Sequence, residues 1–510
     1  MQFIDNFLNR TTMYRLVLYA LIFLVALAIP LSVYDKVPFS TTDLLYSIIA
    51  IFSVSFLTNK IFSWAFDAPV NVESVYISAL ILVLIVTPTT NSDPVSYLSF
   101  VCWVSALTMA SKYLFTIGKK HIFNPVAIAT VITAFTINQS PSWWVGTTYM
   151  APLVAIVGFL VVRKIKRADL VLSFLVVSIL MTILPGIINN SSTPVLTNLF
   201  RAVFQSPILF LAVFMLTEPL TTPPTRLMRI IYGSIVGLLF FPNIHIGSIY
   251  LTPEFALILG NVFAYIVSPK EKLILALKEK LNIAKDTYEF SFVMNQKISF
   301  LPGQYLEWTL KHRDPDSRGN RRYFTISSSP TEDTLKLGIK FYPELSSFKN
   351  KLLFLNKGDT IVASQCAGEF VMPKDTKTKL VFIAGGIGVT PFRSMIKYCV
   401  DKNEKRDIVL LCSNKKVEDI AYKNIFDEAE VKLGLKTLYI VTDKDQIIQN
   451  KNMRSGFIDI PFIQKEIPDF KEREFYISGP HSMISMFEKT LSDIGIPKKN
   501  IKVDFFPGFA

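Results

Sequence analysis

The sequence predicts a multidomain membrane protein: a transmembrane bundle of about ten α-helices with inverted repeats, then an antiparallel β-barrel, then an α/β domain. Three observations predict it. Of 510 residues, 51% are hydrophobic and only 18% charged, too apolar for a soluble chain of this length. The apolar residues form long runs as far as Ser268, after which charges recur every few residues. After Lys374 the pattern changes again, from alternating strands with turn signals to strand and helix in alternation. These shifts divide the chain into a transmembrane domain (1–268), a linker (269–284), a barrel (285–374) and an α/β domain (375–510).

By length, about ten runs suit a hydrocarbon core: Met13–Val33, Thr42–Phe62, Ser74–Thr87, Val95–Phe115, Ile122–Ile137, Gly146–Val162, Ala168–Ile188, Val203–Leu216, Leu227–Phe241 and Ile249–Val267. The first follows Arg10 but is full length and lacks a small-residue cleavage site, so it reads as a helix and not a signal peptide. Alternate connections hold Lys60, then Lys112, Lys119 and Lys120, then Arg163, Lys164, Lys166 and Arg167, then Arg226 and Arg229. The intervening ones offer little beyond Lys36 and Arg201. The positive-inside rule then places both termini in the cytoplasm, in a multi-pass protein of the cell inner (plasma) membrane, with membrane lipid as its solvent. The net charge of +13 follows partly from this topology. No basic and aromatic stripe gathers on one element, so nucleic acid is not an expected partner.

The membrane half repeats itself. The third run ends "LILVLIVTPTTNSDP" and the eighth "FLAVFMLTEPLTTPPT", each stopping at a Thr/Pro cluster. Five spans separate them, so one cluster faces outward and the other inward. The fifth opens with "HIFNPVAIA" and the tenth with "SIYLTPEFA", each placing proline where a helix begins. Such clusters also mark ordinary helix ends; their pairing favours broken helices, whose N-termini suit an anionic or electron-rich ligand such as a flavin or quinone. Asn124, Thr217 and Thr222 are the candidate contacts. Glu73, Glu218 and Glu254 lie at span ends, as ion-pathway groups or as helix-terminus charges.

The "FNP" of Phe123–Pro125, the "FMLTEPLTTPPT" of Phe214–Thr225 and the glycine-spaced "RIIYGSIVGLLFF" resemble the D-type membrane protein of Rnf electron-transport complexes and its B-type relative in the sodium-translocating NADH:quinone reductase. The resemblance implies ten helices in an inverted repeat that holds flavin, and other electron-transport subunits as partners. In that family one FMN is attached covalently to the threonine of a Ser/Thr-Gly-Ala-Thr motif. This sequence has "NNSSTPVLTN" at Asn189–Asn198 instead, so a non-covalent FMN or riboflavin is the expectation.

From Pro269 to Leu281, "PKEKLILALKEKL" puts Leu273, Leu277 and Leu281 at four-residue spacing, which predicts an amphipathic helix, either on the inner membrane surface or capping the soluble domain. "DTYEFSFVM" then opens the barrel strands, which run through "LPGQYLEWTL" to "GDTIVASQCAGEF". In "VFIAGGIGVTPFRSM" a buried strand enters a turn in which Gly385, Gly386 and Gly388 allow close approach to a pyrophosphate. Thr390 and Pro391 begin the helix that follows. No Lys-Ser/Thr follows, so it is not a Walker loop, and Pro391 replaces the third glycine of the usual dinucleotide fingerprint.

Its companions give the turn its meaning. "RRYFTISSSP" at Arg321–Pro330 resembles the flavin signature of the ferredoxin-NADP reductase family. "PGQY" with Gln304 and Tyr305 precedes it, "SSFKNKL" with Ser346 and Ser347 follows, and "YISGPHSM" with Gly479, Pro480 and Met483 matches that family's Cys-Gly-Pro-x-x-Met. The resemblance implies FAD and NAD(P)H as cofactor and substrate. It puts Arg322 on the FAD pyrophosphate, Tyr323 and Ser327 beside the same signature, Phe324 against the flavin ring and Thr325 near its N5. Ser478 stands where the family has a cysteine next to the nicotinamide. Phe509 of the closing "DFFPGFA" resembles the aromatic tail that covers the ring. Lys415 and Lys416 offer charge to a 2′-phosphate while Glu418 and Asp419 oppose it, so NADH and NADPH both stay open.

The chemistry is then hydride transfer to a flavin that passes electrons on, with a quinone or external carrier as acceptor and no general base required. Cys102, Cys366, Cys399 and Cys412 are scattered, against a thiolate cluster. Ferric reductases join a similar soluble half to helices with spaced His pairs, whereas this membrane half has only His121 and His245. A transporter whose soluble half senses redox state is the non-enzymatic alternative.

Overall fold

Apolar runs without charge satisfy their backbone by coiling. In the computed structural model, which describes residues 8, 11–66, 72–88, 94–117, 120–188, 194–241, 244–246, 249–268, 273–312, 316, 320–443 and 452–504, they do so in the expected order. Among the described residues, Met13–Val33, Thr41–Ala65 and Pro94–Leu114 are long and apolar enough to cross a membrane. Val72–Ile85, Pro125–Thr136 and Pro253–Val267 are shorter, with 14, 12 and 15 residues. At about 1.5 Å per residue none of these three reaches across a core of about 30 Å by itself.

The eighth run departs from the expectation of one helix over Val203–Leu216. Val195–Phe204 ends before Pro207, and Ile208–Met215 continues at a bend of 53°. Proline removes an N–H and clashes with the preceding turn, so the break falls there. Leu211–Met215 is π-helical and leads to the Thr/Pro cluster. The sixth helix likewise begins later than expected, at Ala151, after a short turn over Trp144–Gly146.

Two halves of this unit share one plan. The hairpin of β1 (Thr116–Ile117) and β2 (Lys120–His121) precedes the Pro125–Thr136 helix; that of β3 (His245–Ile246) and β4 (Ile249–Tyr250) precedes Pro253–Val267. Both helices carry proline in the first turn, capped by Asn124 in one and Thr252 in the other. Thr41–Ala65 packs on Pro94–Leu114 as Ala168–Ile188 packs on Arg226–Leu239, and the two proline-led helices pack on each other. Gly233 and Gly237 allow Arg226–Leu239 to approach Ala168–Ile188 closely: a Cβ at Gly233 would fall 2.7 Å from the Leu170 carbonyl oxygen. The innermost segments correspond too. Every residue is buried from Ser78 to Val86 and again from Phe210 to Thr217, and both stretches stop at the threonine and proline clusters.

Glu271–Phe506 forms a second compact unit. Its first lobe is a six-stranded antiparallel sheet in the order β8-β7-β10-β5-β6-β9. The strands are β5 (Leu273–Ala284), β6 (Thr287–Met294), β7 (Tyr305–Thr309), β8 (Arg321–Thr325), β9 (Leu335–Lys340) and β10 (Thr360–Ala367). Ser327 N donates to Lys336 O at 3.0 Å, tying the segment after β8 to the opposite edge strand β9. The expected amphipathic helix at 269–284 is corrected here: its described part, 273–284, is β5. Leu273, Leu275 and Leu277 are buried and the alternate Ile274 exposed. Pairing with β6 and β10 supplies the backbone partners a helix would otherwise provide.

The second lobe is a six-stranded parallel sheet, β14-β13-β12-β11-β15-β16, with β11 (Leu380–Gly385) and β12 (Ile408–Asn414) at its centre. β13 (Lys436–Val441) and β14 (Met453–Ser455) extend it on the β12 side, β15 (Glu474–Ser478) and β16 (Ile501–Val503) on the other. All six residues of β11 are buried, as a strand covered on both faces requires.

Candidate functional site

In the antiparallel lobe, β7 and β8 pair so that Tyr305 faces Thr325 and Trp308 faces Arg322. Arg322 and Phe324 lie on one face with Phe348, the guanidinium 5.4 Å over that ring and the Phe324 ring 5.9 Å from it. Tyr323 points the other way, its hydroxyl donating to Glu307 at 2.7 Å and its ring edge-on to Tyr305. Gln304 holds the turn before β7, its amide donating to Gly368 O at 3.2 Å. Thr325 and Ser327 are buried.

Arg322 is 4% exposed, and its Nη2 donates to both carboxylate oxygens of Asp316, at 3.0 and 3.3 Å. The same carboxylate accepts from Ser347 N at 3.1 Å. Ser346 caps the Ser347–Leu353 helix, accepting from Lys349 N. Asp316 therefore stands where the resemblance places a phosphate, and an anion does fit that donor set. Sequence reading missed Asp316, because nothing in "KHRDPDSRGN" separates it from a solvated loop acid. Phe509 lies outside the described residues.

In the parallel lobe the chain leaves the carboxyl end of β11, crosses to β12, and later returns beside β11 as β15, so the carboxyl ends of β11 and β15 frame a crevice where the strand order reverses. Gly386 has φ +53° and open space over its Cα. Gly388 is packed: a Cβ there would fall 2.4 Å from Ser478 O. Gly385 lies under Met483, and Thr390 and Pro391 open the helix Thr390–Lys402. Ser478, Gly479 and Pro480 thus meet the glycine turn. Lys415 is exposed just past β12, while Glu418 pairs with Lys285 and Asp419 with Lys340, each at 2.7 Å, so both opposing carboxylates are engaged. A residue absent from the sequence reading is Asp504, whose carboxylate accepts from Ser478 Oγ at 3.0 Å. Burial pushes its carboxyl up to about 7, and the Ser478 hydrogen bond offsets only part of that rise.

In the membrane unit the structure brings together segments far apart in sequence. Glu218 accepts from Asn124 Nδ2 at 2.8 Å and lies 3.1 Å from His121 Nε2. Asn261 accepts from Asn124 N at 2.8 Å and donates to the Tyr232 hydroxyl at 2.9 Å. Thr217 is turned back onto Val213 O at 2.8 Å, and Thr222 is held by Arg167. On the related segments, Trp143 Nε1 donates to buried Glu254 at 3.2 Å, and Trp144 Nε1 to Val83 O at 2.8 Å.

Comparison with known proteins matches three parts of the chain. Residues 144–271 match the NQR2, RnfD, RnfE family, 274–371 the oxidoreductase FAD-binding domain and 382–489 the oxidoreductase NAD-binding domain. A flavohemoprotein of Bacillus subtilis is 30% identical over 211 residues, covering 41% of this chain and 51% of that protein. Flavohemoprotein A of Dictyostelium discoideum is 26% identical over 217 residues, covering 41% and 53%. The chain spans about half the length of these curated relatives. Among solved structures, the cytochrome P450 reductase GcoB of Amycolatopsis superposes with a TM-score of 0.42 at 21% identity, covering 46% of this chain and 70% of that one.

Proposed function

We propose that this chain, which joins an NQR2/RnfD/RnfE-type segment to oxidoreductase FAD- and NAD-binding domains, is a membrane-bound NAD(P)H-dependent flavin oxidoreductase. One observation carries the reading: the open glycine turn at Gly386 and the Ser478–Pro480 segment meet at one crevice, in the same unit as a buried arginine gripping an anion. Arg322, Ser346 and Ser347 would hold the FAD diphosphate, Phe324 its ring, and Thr325 a hydrogen bond near N5. The flavin, when bound, accepts hydride from NAD(P)H and passes electrons on singly. The residues orient the two rings and exclude water between them. About ten apolar segments in two inverted halves, some of them spanning only in part, with both termini cytoplasmic, put this reaction on the inner side of the cell membrane. Asn124 and the Thr217–Thr222 segment would hold a second, non-covalent flavin, which would supply one-electron transfer; the other acceptors are a quinone, an external carrier or partner subunits.

The purified full chain is expected to oxidise NAD(P)H with an artificial acceptor, and denaturation is expected to release all flavin and leave no fluorescent band on a gel. Flavin beyond one FAD per chain supports the membrane flavin. One FAD and nothing else reduces the membrane half to a quinone-binding anchor. A protein that neither binds flavin nor turns over NAD(P)H removes the whole reading.

Asp504 gives a pH test. Above about 7 it is ionised, placing negative charge beside Ser478, where the nicotinamide becomes cationic as hydride leaves. Stopped-flow reduction of the flavin should therefore accelerate as pH rises through that value. Asp504→Asn should flatten the step; an unshifted inflection in the variant would assign it to another group.

A further inference from the structure

Two lobes must hold two rings in register, and a buried charged cluster joins those lobes. Arg393 lies two residues past Pro391 on the helix that follows the glycine turn, and is 2% exposed. It pairs with Glu332 through both guanidinium nitrogens, Nη2 donating to Oε1 at 3.0 Å, and Nη1 also donates to Ser327 O at 3.0 Å. Ser327 lies two residues past Thr325 on the flavin-side strand. Glu332 is fixed in turn by Ser329 N at 2.7 Å and by Lys336 at 3.2 Å, and that lysine also reaches Glu289 at 3.2 Å. Next to Arg393, Ser394 Oγ donates to Ser328 O at 2.6 Å.

Tyr422 completes the cluster. Its ring lies 5.7 Å under the Arg393 guanidinium, and its hydroxyl faces Ser327 and Glu289. Its backbone is left-handed, φ +61°, a conformation that side-chain-bearing residues seldom adopt. A Cβ at Gly338 on β9 would fall 2.3 Å from that hydroxyl. A strained residue seated over an obligatory glycine is held there by its surroundings. Buried ion clusters contribute little net stability compared with apolar packing, and their best-attested use is to fix register.

We propose that the Arg393–Glu332 pair is a positioning device. It sets the glycine turn of the parallel lobe against the Thr325–Ser327 segment of the antiparallel lobe, so that nicotinamide and flavin rings meet at reacting distance. This rests on the proposed oxidoreductase function. Neither residue touches a reacting atom; both act through the backbone that carries Gly386 and Thr325. A misplacement of about 1 Å slows a reaction by about a hundredfold when the partners are otherwise bound, so the effect belongs in the rate of hydride transfer and not in affinity.

In the full-length protein, Glu332→Gln and Arg393→Gln are expected to retain FAD and keep NAD(P)H affinity within about threefold, while flavin reduction in rapid mixing slows by about tenfold or more. The long-wavelength charge-transfer absorbance of the stacked rings should fall in step. The double variant should be no slower than either single one, as for residues acting through one contact. Glu332→Asp keeps the charge but shortens the reach; it provides the same readout should Arg393→Gln fail to fold. Reduction within about twofold of the unmutated rate in Glu332→Gln or Glu332→Asp, with FAD in place, overturns the proposal. So does a rate loss that tracks FAD loss in every variant, which would mark the pair as merely structural. An unmutated chain whose bound FAD is not reduced by NAD(P)H overturns the function and the positioning role together, a result distinct from either of the others.

Discussion

Arg322→Ala is expected to leave purification without FAD. The guanidinium is buried against Phe348 and already holds an anion, its Nη2 donating to both oxygens of the Asp316 carboxylate. Hydrogen bonds to charged groups contribute about 1.5–3 kcal/mol each, so losing two weakens FAD binding by roughly a hundredfold or more. Water does not reproduce the fork, and Arg322→Lys, which keeps the charge but not the geometry, should recover only part of the loss. Asp316 is the internal competitor for Nη2, so Asp316→Asn should retain FAD or bind it more tightly. The check is flavin absorbance per chain after gel filtration. Full occupancy in Arg322→Ala would move the diphosphate away from this strand.

Gly386→Val is expected to keep its FAD and lose most of its affinity for NAD(P)H. The left-handed backbone at Gly386, φ +53°, penalises any side chain by about 1–2 kcal/mol. The space over its Cα is open, so the valine meets no neighbour in the protein but occupies the approach a diphosphate needs. Together these should raise the NAD(P)H dissociation constant by roughly a hundredfold. Gly388→Ala provides the contrast. Its Cβ would strike Ser478 O at 2.4 Å, so the crevice itself must shift and thermal stability should fall along with binding. Equal thermal losses in the two variants would mean that both glycines serve packing alone.

Much of the candidate site is legible from sequence because its parts are local. A strand, three closely spaced glycines and a helix-starting proline fall within thirteen residues from Lys379 to Pro391, and the flavin-side signature is one strand long. The positions that escaped detection are partners across long separations. Asp316, Asp504 and Glu332 are acids in unremarkable loops until folding sets them on Arg322, Ser478 and Arg393. Glu218 was legible as a span-end acid, but its contact with Asn124 joins residues 94 apart, and no periodicity reports that.

The sequence alone determined the order of the parts: apolar helical runs before charged, alternating ones, paired proline-led helices in the two membrane halves, and a parallel sheet after an antiparallel one. These follow from hydrophobic length, period and turn chemistry, which are properties of neighbouring residues. Only the tertiary structure decided whether Leu273–Ala284 would coil or extend. Leucines at four-residue spacing share one side of a helix, and they also share one side of a strand, because four is a multiple of two. The choice fell to the partners: β6 and β10 offer backbone hydrogen-bonding edges to this segment, and pairing buries Leu273 and Leu277 in the sheet's core while Leu281, past a register shift after Leu277, stays exposed. The engagement of Glu418 and Asp419 by lysines of the other lobe and the Arg393 cluster were settled in the same way, by groups that come within reach only when distant segments pack.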